Sequence, residues 1–356
     1  MTTGPKVPEF ENRLSAEAGV AHAVAVSSGT AALHTLYHAV GIGPGDEVIV
    51  PAITFAATAN ALLYLGATPV FADVEADTLL LDPESVSSRI TPKTRAIVAV
   101  DYAGQMADYV RLRELARKHN LLLLADSCHS LGGRLNGLPI GNFVDGAVYS
   151  FHPVKHITTA EGGMVLLHDE AWAARARRFR NHGIETDHRQ RAERGTWRYD
   201  VVELGYNYRL SDLQCALGLS QFERLPEWIV ARQKIADRYT SAFAVNSSII
   251  PLTVRENVQH AWHLYVVKVE PGATNLARDS VFDSLRNAGI GANVHYGPVH
   301  LNTLYRERFG FAPGLCPVAE SESAKILSLP MYPSLKESEL TQVIDAVAEV
   351  TEAVPA

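Results

Sequence analysis

The sequence predicts an α/β protein whose main sheet is mostly parallel and is covered by helices on both faces. Short apolar runs rich in β-branched residues alternate with helical segments through the first half of the chain. The runs typical of strands are 24–26, 48–50, 69–71, 96–100 and 121–125. Strands separated by helices form parallel pairs, and buried parallel strands are apolar on both faces. The alternation therefore indicates the α/β class.

Turn-forming residues fall between these predicted elements. The glycine-rich stretch 41–45 ends a helix that begins near Thr30. The pair Asn136-Gly137 predicts a tight turn between two short extended pieces. Two further runs are predicted as neighbouring strands, 145–151 and 163–167.

The second half of the chain predicts a long helix followed by a smaller α+β domain. Apolar residues recur at helical spacing over 217–243, so we expect a helix that links two domains. Beyond it the pattern predicts a strand and two helices, at 263–269, 280–288 and 337–353. We therefore place a large domain at 1–246 and a small domain at 247–356.

Composition excludes several classes of protein. The 356 residues suffice for two domains, and 47 % hydrophobic with 20 % charged residues is ordinary for a packed protein. A net charge of −7 provides no basic field, so nucleic acid is not an expected partner. No apolar run has the length of a membrane span or signal peptide. We expect a cytoplasmic protein with no membrane partner.

The cysteine and histidine spacing predicts neither a disulfide framework nor a metal site. Cys128, Cys215 and Cys316 are far apart and form no CxxC pair, which fits a reducing compartment. The histidines lack the spacing of zinc ligands. A GxGxxG fingerprint is also absent, so a Rossmann dinucleotide site has no support.

Lys155 is the main catalytic candidate. It follows an apolar strand and precedes small residues and glycines, in SFHPVKHITTAEGG at 150–163. A lysine held partly desolvated there has a lowered pKa, and its neutral amine can form a Schiff base with a carbonyl. For a lone lysine, however, a solvated surface loop is the commoner situation. The neighbouring motifs must therefore decide between the two interpretations.

The stretch 26–33 places a strand, a Ser/Gly/Thr turn and a helix start in succession. The first amides of the helix, its dipole and the Thr30 hydroxyl could bind a phosphate dianion. The same residues also make an ordinary helix N-cap. The motif alone leaves both interpretations open.

Three further side chains could contact a pyridine-type cofactor. Asp126 ends an apolar run, where a carboxylate needs a positive partner such as a protonated ring nitrogen, although it could instead cap the next helix. Phe55 could stack on the ring or simply pack in the core. His129 could hydrogen-bond the phenolic oxygen or be an ordinary polar neighbour. No glycine-flanked serine elbow accompanies Ser130, which excludes a nucleophilic serine triad.

Several motifs in order resemble the DegT/DnrJ/EryC1/StrS family of sugar aminotransferases over nearly the whole chain. They are TTGPKVPEFE, SSGTAALH, GIGPGDEVIVPAITFAATANA, DSCHSLGG, SFHPVKHITTAEGGMV, RNHG and GYNYRLSDLQ. The resemblance implies the fold-type I aminotransferase architecture with pyridoxal 5′-phosphate (PLP) as cofactor. It also implies that Lys155 is the Schiff-base lysine and Asp126 the partner of the pyridinium nitrogen.

The resemblance assigns further positions. Phe55 matches the stacking aromatic, and His129 stands where many members have glutamine. The implied phosphate binders are Thr30, Ala31 and Ser150. Asn207 matches the asparagine that reaches the cofactor phosphate of the neighbouring subunit, so the resemblance implies a homodimer with shared active sites.

Within the family, SFHPVKHITTAEGG is most similar to the branch that makes UDP-4-amino-4,6-dideoxy-N-acetyl-β-L-altrosamine, an intermediate of pseudaminic acid synthesis. The implied substrate-binding residues are His295, Tyr296 and Glu320. We expect ping-pong transfer from L-glutamate to C4 of a UDP-linked 4-keto-6-deoxy-N-acetylhexosamine. The 4-amino-4-deoxy-L-arabinose branch shares SFH and AEGG. A 4-keto-pentose, a dTDP-linked 4-keto-6-deoxyhexose or amination at C3 are therefore alternatives.

Two other functions compete with transamination. Family dehydratases replace the lysine with histidine, whereas Lys155 is present here and His156 is not at that position. A non-catalytic regulatory or scaffolding protein could keep the fold, but the complete set Lys155, Asp126, Ser150 and Asn207 argues against it. Relatives also carry a segment before TTGPKVPEFE that helps to cover the sugar site. Because this stretch starts right after Met1, we expect a truncated start or altered substrate binding.

Overall fold

The computed structural model describes residues 4–186, 195–270 and 277–352. The helices are α1 (Lys6–Ala18), α2 (Gly29–Ala39), α3 (Ala57–Tyr64), α4 (Pro83–Arg89), α5 (Tyr109–His119), α6 (Glu170–Phe179), α7 (Asp212–Phe222), α8 (Leu225–Phe243), α9 (Arg278–Asn287), α10 (Thr303–Phe309), α11 (Pro317–Ser323) and α12 (Glu337–Glu352). The strands are β1 (His22–Val26), β2 (Glu47–Pro51), β3 (Thr68–Ala72), β4 (Thr94–Val100), β5 (Leu122–Asp126), β6 (Arg134–Leu135), β7 (Gly146–Ser150), β8 (Gly163–Leu167), β9 (Ile249–Pro251), β10 (Val258–Gln259), β11 (Tyr265–Val269) and β12 (Ile326–Leu329). Across these ranges no helix combines the length and apolarity that crossing a bilayer requires.

The main sheet has seven strands in the order β1-β8-β7-β5-β4-β2-β3. Strands β2, β3, β4, β5 and β7 pair in parallel, which confirms the α/β prediction. Strand β8 is antiparallel to both β7 and β1. It returns directly from β7 through a loop rather than a crossover helix, and such a return produces antiparallel pairing.

The sheet is covered on both faces by separate apolar clusters. Along β2, Val48 and Val50 belong to one cluster and Ile49 to the other. This division follows from the alternation of side chains along a strand. Helix α2 packs on the same side as Val48, and α1 packs on the side of Ile49. The strand ends, where the two clusters meet the loops, carry most of the predicted site residues.

The carboxy-terminal part contains a three-stranded antiparallel sheet in the order β12-β11-β9. A third apolar cluster joins this sheet to α9 and α12. The second half of α8 belongs to the same cluster through Ile235, Tyr239 and Phe243. The boundary proposed between residues 246 and 247 remains a prediction.

The single linking helix predicted over 217–243 is wrong: the structure divides it into α7 and α8. Pro226 stands in the first turn of α8, where its missing N–H and fixed φ are tolerated, whereas in a helix interior it would break the helix. Helix α7 also begins earlier than predicted. Ser211 and Gln214 form a capping box that fixes its start.

The turn predicted at Asn136-Gly137 is confirmed. Both residues are left-handed, with φ of 51° and 76°. Leu135 and Leu138 exchange backbone hydrogen bonds across the turn. Asparagine followed by glycine is the pair that favours two successive positive φ angles.

Candidate active site

Lys155 lies in the loop between β7 and β8, at the edge of the sheet where the parallel strands end. Its Nζ atom is 3.5 Å from Nε2 of His263. Burial lowers the pKa of the Lys155 amine, although Cys128 and Asp126 act in the opposite direction. The amine is therefore held in the partly desolvated state that nucleophilic lysine chemistry requires.

Asp126 is the last residue of β5 and is 6 % exposed. Its Oδ2 accepts a hydrogen bond of 2.7 Å from the Thr58 hydroxyl, and its Oδ1 accepts one of 3.3 Å from the Cys128 amide. Both donors are neutral, and among the described residues no cation forms an ion pair with this carboxylate. A buried carboxylate is stable only with a positive or strongly donating partner. A protonated ring nitrogen fits this position.

The predicted phosphate residues lie together at the start of α2. Ser28 caps this helix by accepting a hydrogen bond of 3.0 Å from the Ala31 amide. A Cβ atom on Gly29 would lie 2.9 Å from Cβ of Ser150, so the glycine allows the helix start to approach the end of β7. Thr30 follows directly and is half-buried. The N-cap and the anion site are therefore compatible, because several backbone N–H groups in the first turn of a helix have no intrahelical partner and can bind an anion.

Phe55 is 58 % exposed and does not pack in the core. Its ring centroid lies 5.9 Å from that of Tyr296. An aromatic face left open beside other site residues can stack on a planar ring. The position of Phe55 thus fits the stacking role better than the core role.

His129 is buried, and its Nε2 lies 3.4 Å from the Tyr296 hydroxyl. Its Nδ1 has no hydrogen-bond partner among the described residues. Burial and the nearby Lys155 amine hold the pKa of His129 well below its usual range. The imidazole is therefore neutral, with a polar atom left for a ligand.

His295 and Tyr296 lie beside the same group of residues. The His295 Nδ1 is 2.9 Å from Oγ of Ser328, and its carbonyl accepts a hydrogen bond from the Tyr102 hydroxyl. Burial lowers the pKa of His295 to about 4. Both residues are therefore uncharged, and Tyr296 contacts His129 and Phe55.

Among the described contacts, neither Glu320 nor Asn207 touches the residues around Lys155. The Glu320 carboxylate accepts hydrogen bonds from His300 Nε2 at 2.9 Å and from the amides of Gly314 and Cys316 at 2.7 and 3.1 Å. These contacts hold the local backbone, and a substrate role for Glu320 stays a prediction. Asn207 is exposed and pairs through its backbone with Asn181.

The segment that carries Asn207 is attached to the end of β1. The Ser27 amide donates a hydrogen bond of 2.8 Å to the Tyr208 carbonyl, and Val26 pairs with Arg209. Large apolar side chains of this segment are exposed, including Leu204 at 79 % and Leu213 at 68 %.

Sequence reasoning missed two polar residues of the site, Thr58 and His263. Thr58 lies in α3 just after Phe55, and its position after the strand end was the available signal. His263 precedes β11, 108 positions from Lys155, and has no local motif. A buried network also escaped prediction, in which Asp101 accepts hydrogen bonds from Ser127 at 2.7 Å and Ser130 at 2.5 Å.

Within the described ranges, no cluster of three or more His, Cys, Asp or Glu residues is suited to hold a metal ion. The donor set around Lys155 is that of an organic cofactor: one buried carboxylate, one exposed aromatic ring and one helix start.

Comparisons with known proteins support this interpretation. The profile of the DegT/DnrJ/EryC1/StrS aminotransferase family matches residues 1–348. The spore coat polysaccharide biosynthesis protein SpsC of Bacillus subtilis (strain 168) is 39 % identical over 352 residues, which cover 98 % of this chain and 90 % of SpsC.

Two solved structures are also similar over almost the whole chain. The putative sugar aminotransferase Spr1654 of Streptococcus pneumoniae, in its PMP-form, has a TM-score of 0.93 at 34 % identity and covers 99 % of this chain and 93 % of its own. Helicobacter pylori PseC, an aminotransferase involved in the biosynthesis of pseudoaminic acid, has a TM-score of 0.92 at 34 % identity with the same coverage, 99 % and 93 %.

These matches confirm the fold-type I architecture and the cofactor that the sequence predicts. Spr1654 has been solved in apo-, PLP- and PMP-forms, and PLP is the cofactor of the whole family. The chain belongs to the DegT/DnrJ/EryC1/StrS aminotransferase family.

Proposed function

We propose that the protein transfers an amino group from L-glutamate to C4 of a UDP-linked 4-keto-6-deoxy-N-acetylhexosamine by ping-pong chemistry. The observation that carries the proposal is the Lys155 amine, which is desolvated and lies close to Asp126 and His129. A neutral amine beside an unpaired buried carboxylate is the arrangement that Schiff-base transamination needs.

The cofactor, when bound, acts as an electron sink for the carbon that gains or loses the amino group. In the proposed arrangement Asp126 pairs with the ring nitrogen, Phe55 stacks on the ring face and His129 contacts the phenolic oxygen. The phosphate is held at the start of α2 by Thr30, Ala31 and Ser150. Each role matches a free polar atom, an open face or a close backbone approach described above.

Lys155 has two roles in the proposal. Its neutral Nζ would hold the cofactor covalently, and once free the same nitrogen would take the proton of the substrate carbon and return it. The low-dielectric surroundings favour the neutral amine over the ammonium form. Tyr296 and His295 would bind the sugar, because Tyr296 contacts His129 and His295 lies within electrostatic reach of this amine.

The sugar is inferred from two relatives. PseC is involved in the biosynthesis of pseudoaminic acid, and SpsC takes part in spore coat polysaccharide biosynthesis. The similarity to SpsC, at 39 % identity, exceeds the 34 % to PseC, so a different nucleotide-linked keto sugar is the second candidate. An experiment must therefore identify the nucleotide, the sugar and the carbon that is aminated.

A substrate panel tests this proposal. The PLP-loaded protein is incubated with L-glutamate and UDP- or dTDP-linked 4-keto sugars, including a 4-keto-pentose, and the product is analysed by mass spectrometry and NMR. We expect a new amine at C4 of the UDP-linked hexosamine and formation of 2-oxoglutarate. Lys155→Ala should fold but form no product, because it lacks the reacting nitrogen. No amination of any keto sugar would refute the proposal, whereas amination of another sugar would reassign the substrate.

We further propose a homodimer in which each active site is completed by the neighbouring subunit. Asn207 is exposed and is carried by a segment with exposed apolar side chains, among them Leu204 and Leu213. Exposed apolar patches of this kind are typical of association surfaces. In the proposed dimer Asn207 reaches the cofactor phosphate of the other subunit.

Mixing two inactive variants tests the shared site. Lys155→Ala and Asn207→Ala are purified separately, and their subunits are exchanged under mild denaturation. If sites are shared, half of the dimers are mixed and each has one intact site, so activity should return to about a quarter of the wild-type value. Absence of recovery, with mixed dimers verified by mass spectrometry, would contradict the shared site.

A further inference from the structure

The Lys155 amine faces the imidazole of His263, a side chain with no role in the reaction proposed above. Its Nε2 is 3.5 Å from Nζ of Lys155. His263 is 6 % exposed and lies just before β11, so it reaches the lysine from the small-domain side of the chain. Its Nδ1 has no hydrogen-bond partner among the described residues.

The direction of this contact follows from charge. Burial, together with the nearby Lys155 amine, holds the pKa of His263 well below its usual range, so the ring is neutral. A neutral imidazole has one N–H donor and one acceptor nitrogen, whereas a lysine ammonium is only a donor. Toward the protonated form of Lys155 the nitrogen that faces Nζ can therefore only accept, and in that state the ring proton resides on Nδ1.

The backbone around His263 is fixed on both sides. The Ala261 amide donates to the Gly104 carbonyl at 2.9 Å, and the Leu264 amide donates to Ala103 at 3.0 Å. A Cβ atom on Gly104 would lie 2.9 Å from the His263 amide nitrogen, so only glycine allows this approach. The backbone that carries the imidazole is thus anchored to the segment Tyr102–Gly104 that follows β4.

A buried arginine adds a second anchor. Nη1 of Arg232, in α8, donates to the carbonyls of Trp262 at 2.9 Å, His263 at 3.4 Å and Met331 at 3.0 Å. Arg232 is buried, and burial lowers the pKa of its guanidinium to about 10. A cation satisfied by main-chain carbonyls holds that backbone in one position.

Other groups around Nζ do not replace His263 as an acceptor. The titratable groups that face the amine from neighbouring elements are Asp126, Cys128, His129, His156, His263 and His295. Among the described residues, neither Asp126 nor His129 forms a hydrogen bond with Nζ, and the His129 Nε2 faces Tyr296 instead. The lysine ion pairs of the described residues belong to Lys6, Lys268 and Lys325, and Lys155 makes none.

We infer that His263 is a positioning residue that accepts a hydrogen bond from Nζ of Lys155 and directs this nitrogen toward the carbonyl carbon that it attacks. The inference rests on the role proposed for Lys155. An acceptor stabilises the protonated nitrogen more than the neutral one. His263 therefore moderates the lowering of the amine pKa by burial, and it restricts the rotamers of a long side chain.

Two substitutions distinguish the effect of losing the hydrogen-bond acceptor from the effect of losing the aromatic ring. His263→Phe keeps an aromatic ring but removes the acceptor, whereas His263→Gln keeps an acceptor at similar reach. In the PLP-loaded protein, the pH at which the cofactor absorbance changes should fall by about one unit in His263→Phe and stay near the wild-type value in His263→Gln. We also expect kcat to fall about tenfold in His263→Phe with little change in the KM for glutamate.

His260→Phe is the matched control. His260 is also buried and lies three positions away, but its Nδ1 accepts from the Trp262 amide at 2.8 Å and its ring stacks on Trp262. We expect His260→Phe to leave the pH at which the cofactor absorbance changes at the wild-type value. His263→Asn, whose side chain is too short to reach Nζ, repeats the test if His263→Phe does not fold. A wild-type titration in these folded variants would overturn the inference.

A measurement on cofactor-free protein keeps the two proposals separable. The rate at which acetic anhydride acetylates Lys155 is followed by peptide mass spectrometry across a pH series, and it reports the neutral fraction of the amine. The midpoint should be about one unit lower in His263→Phe than in wild type. If transamination fails but this shift appears, the proposed function is wrong while the His263 contact stands; an unchanged midpoint overturns the contact alone.

Discussion

Asp126 illustrates how single residues of this site are left incomplete by the chain itself. Its two oxygens accept hydrogen bonds from neutral groups, the Thr58 hydroxyl and the Cys128 amide. The nearby Asp101 holds Ser127 and Ser130 and thereby fixes the loop that follows β5. The carboxylate is thus oriented but not neutralised, as expected for the partner of a cationic ligand atom.

Replacement of Asp126 by asparagine tests this charge. Asp126→Asn keeps the shape and removes the negative charge, so the ring nitrogen loses its partner. We expect kcat to fall on the order of a hundredfold or more, with faster loss of PLP on dialysis. Thr58→Val, which removes the hydroxyl contacts with Asp126 and Thr54 but keeps the negative charge of Asp126, should have a much smaller effect. Unchanged kinetics in Asp126→Asn would rule out the ring-nitrogen role.

The positions of residues that follow strand ends could be predicted from local motifs, whereas contacts between distant residues could not. Lys155 and Asp126 stand at strand ends, and chemistry at strand ends is a general property of α/β sheets. His263 is 108 positions from Lys155, so their contact exists only in the folded chain. The contacts of Glu320 could not be predicted either, because its carboxylate accepts hydrogen bonds from backbone amides and no pattern in the sequence reveals these.

At the level of elements, the strands were the most predictable parts of the fold. Buried parallel strands are short apolar runs, and β8 matched its predicted range of 163–167. The break between α7 and α8 was missed because the apolar spacing continues across it, whereas Pro226 and the Ser211 cap determine where each helix begins. Local backbone chemistry therefore overrode periodicity.

The contact between α2 and β7 gives a prediction for Gly29. A Cβ atom there would lie 2.9 Å from Cβ of Ser150, so Gly29→Ala must separate the helix start from the strand end. We expect a loss of about 1–3 kcal/mol in the free energy of unfolding and weaker PLP binding. Denaturant unfolding and PLP titration measure both. Gly43→Ala is the matched control, because a Cβ atom on Gly43 meets no atom within 4 Å; equal effects of the two substitutions would contradict the prediction.

The whole molecule buries several neutral histidines. Burial holds the pKa values of His129, His156 and His263 well below the usual range and lowers that of His260 to about 3. In the unfolded chain each of these histidines has a pKa of about 6.5. Below that value the unfolded state binds more protons than the folded state, so stability is complete above it and is lost as the pH falls.

Acid sensitivity is the corresponding prediction. Between about pH 6.5 and the lowered pKa, each such histidine should reduce the free energy of unfolding by up to about 1.4 kcal/mol per pH unit. Thermal unfolding should therefore show a steady fall of the midpoint from neutral pH to about pH 5. His260→Phe removes one titrating group and should flatten the curve. A midpoint independent of pH over this range would contradict the prediction.

The hydrogen bond between Ser27 and Tyr208 constrains how this sequence can change. It locks the strand that leads to a subunit's own phosphate site in register with the residue after Asn207. Side chains alternate along extended backbone, so a one-residue insertion beside Tyr208 would turn the asparagine to the opposite side. In the proposed dimer each subunit supplies Asn207 to the active site of the other, so a single inserted codon would inactivate both active sites.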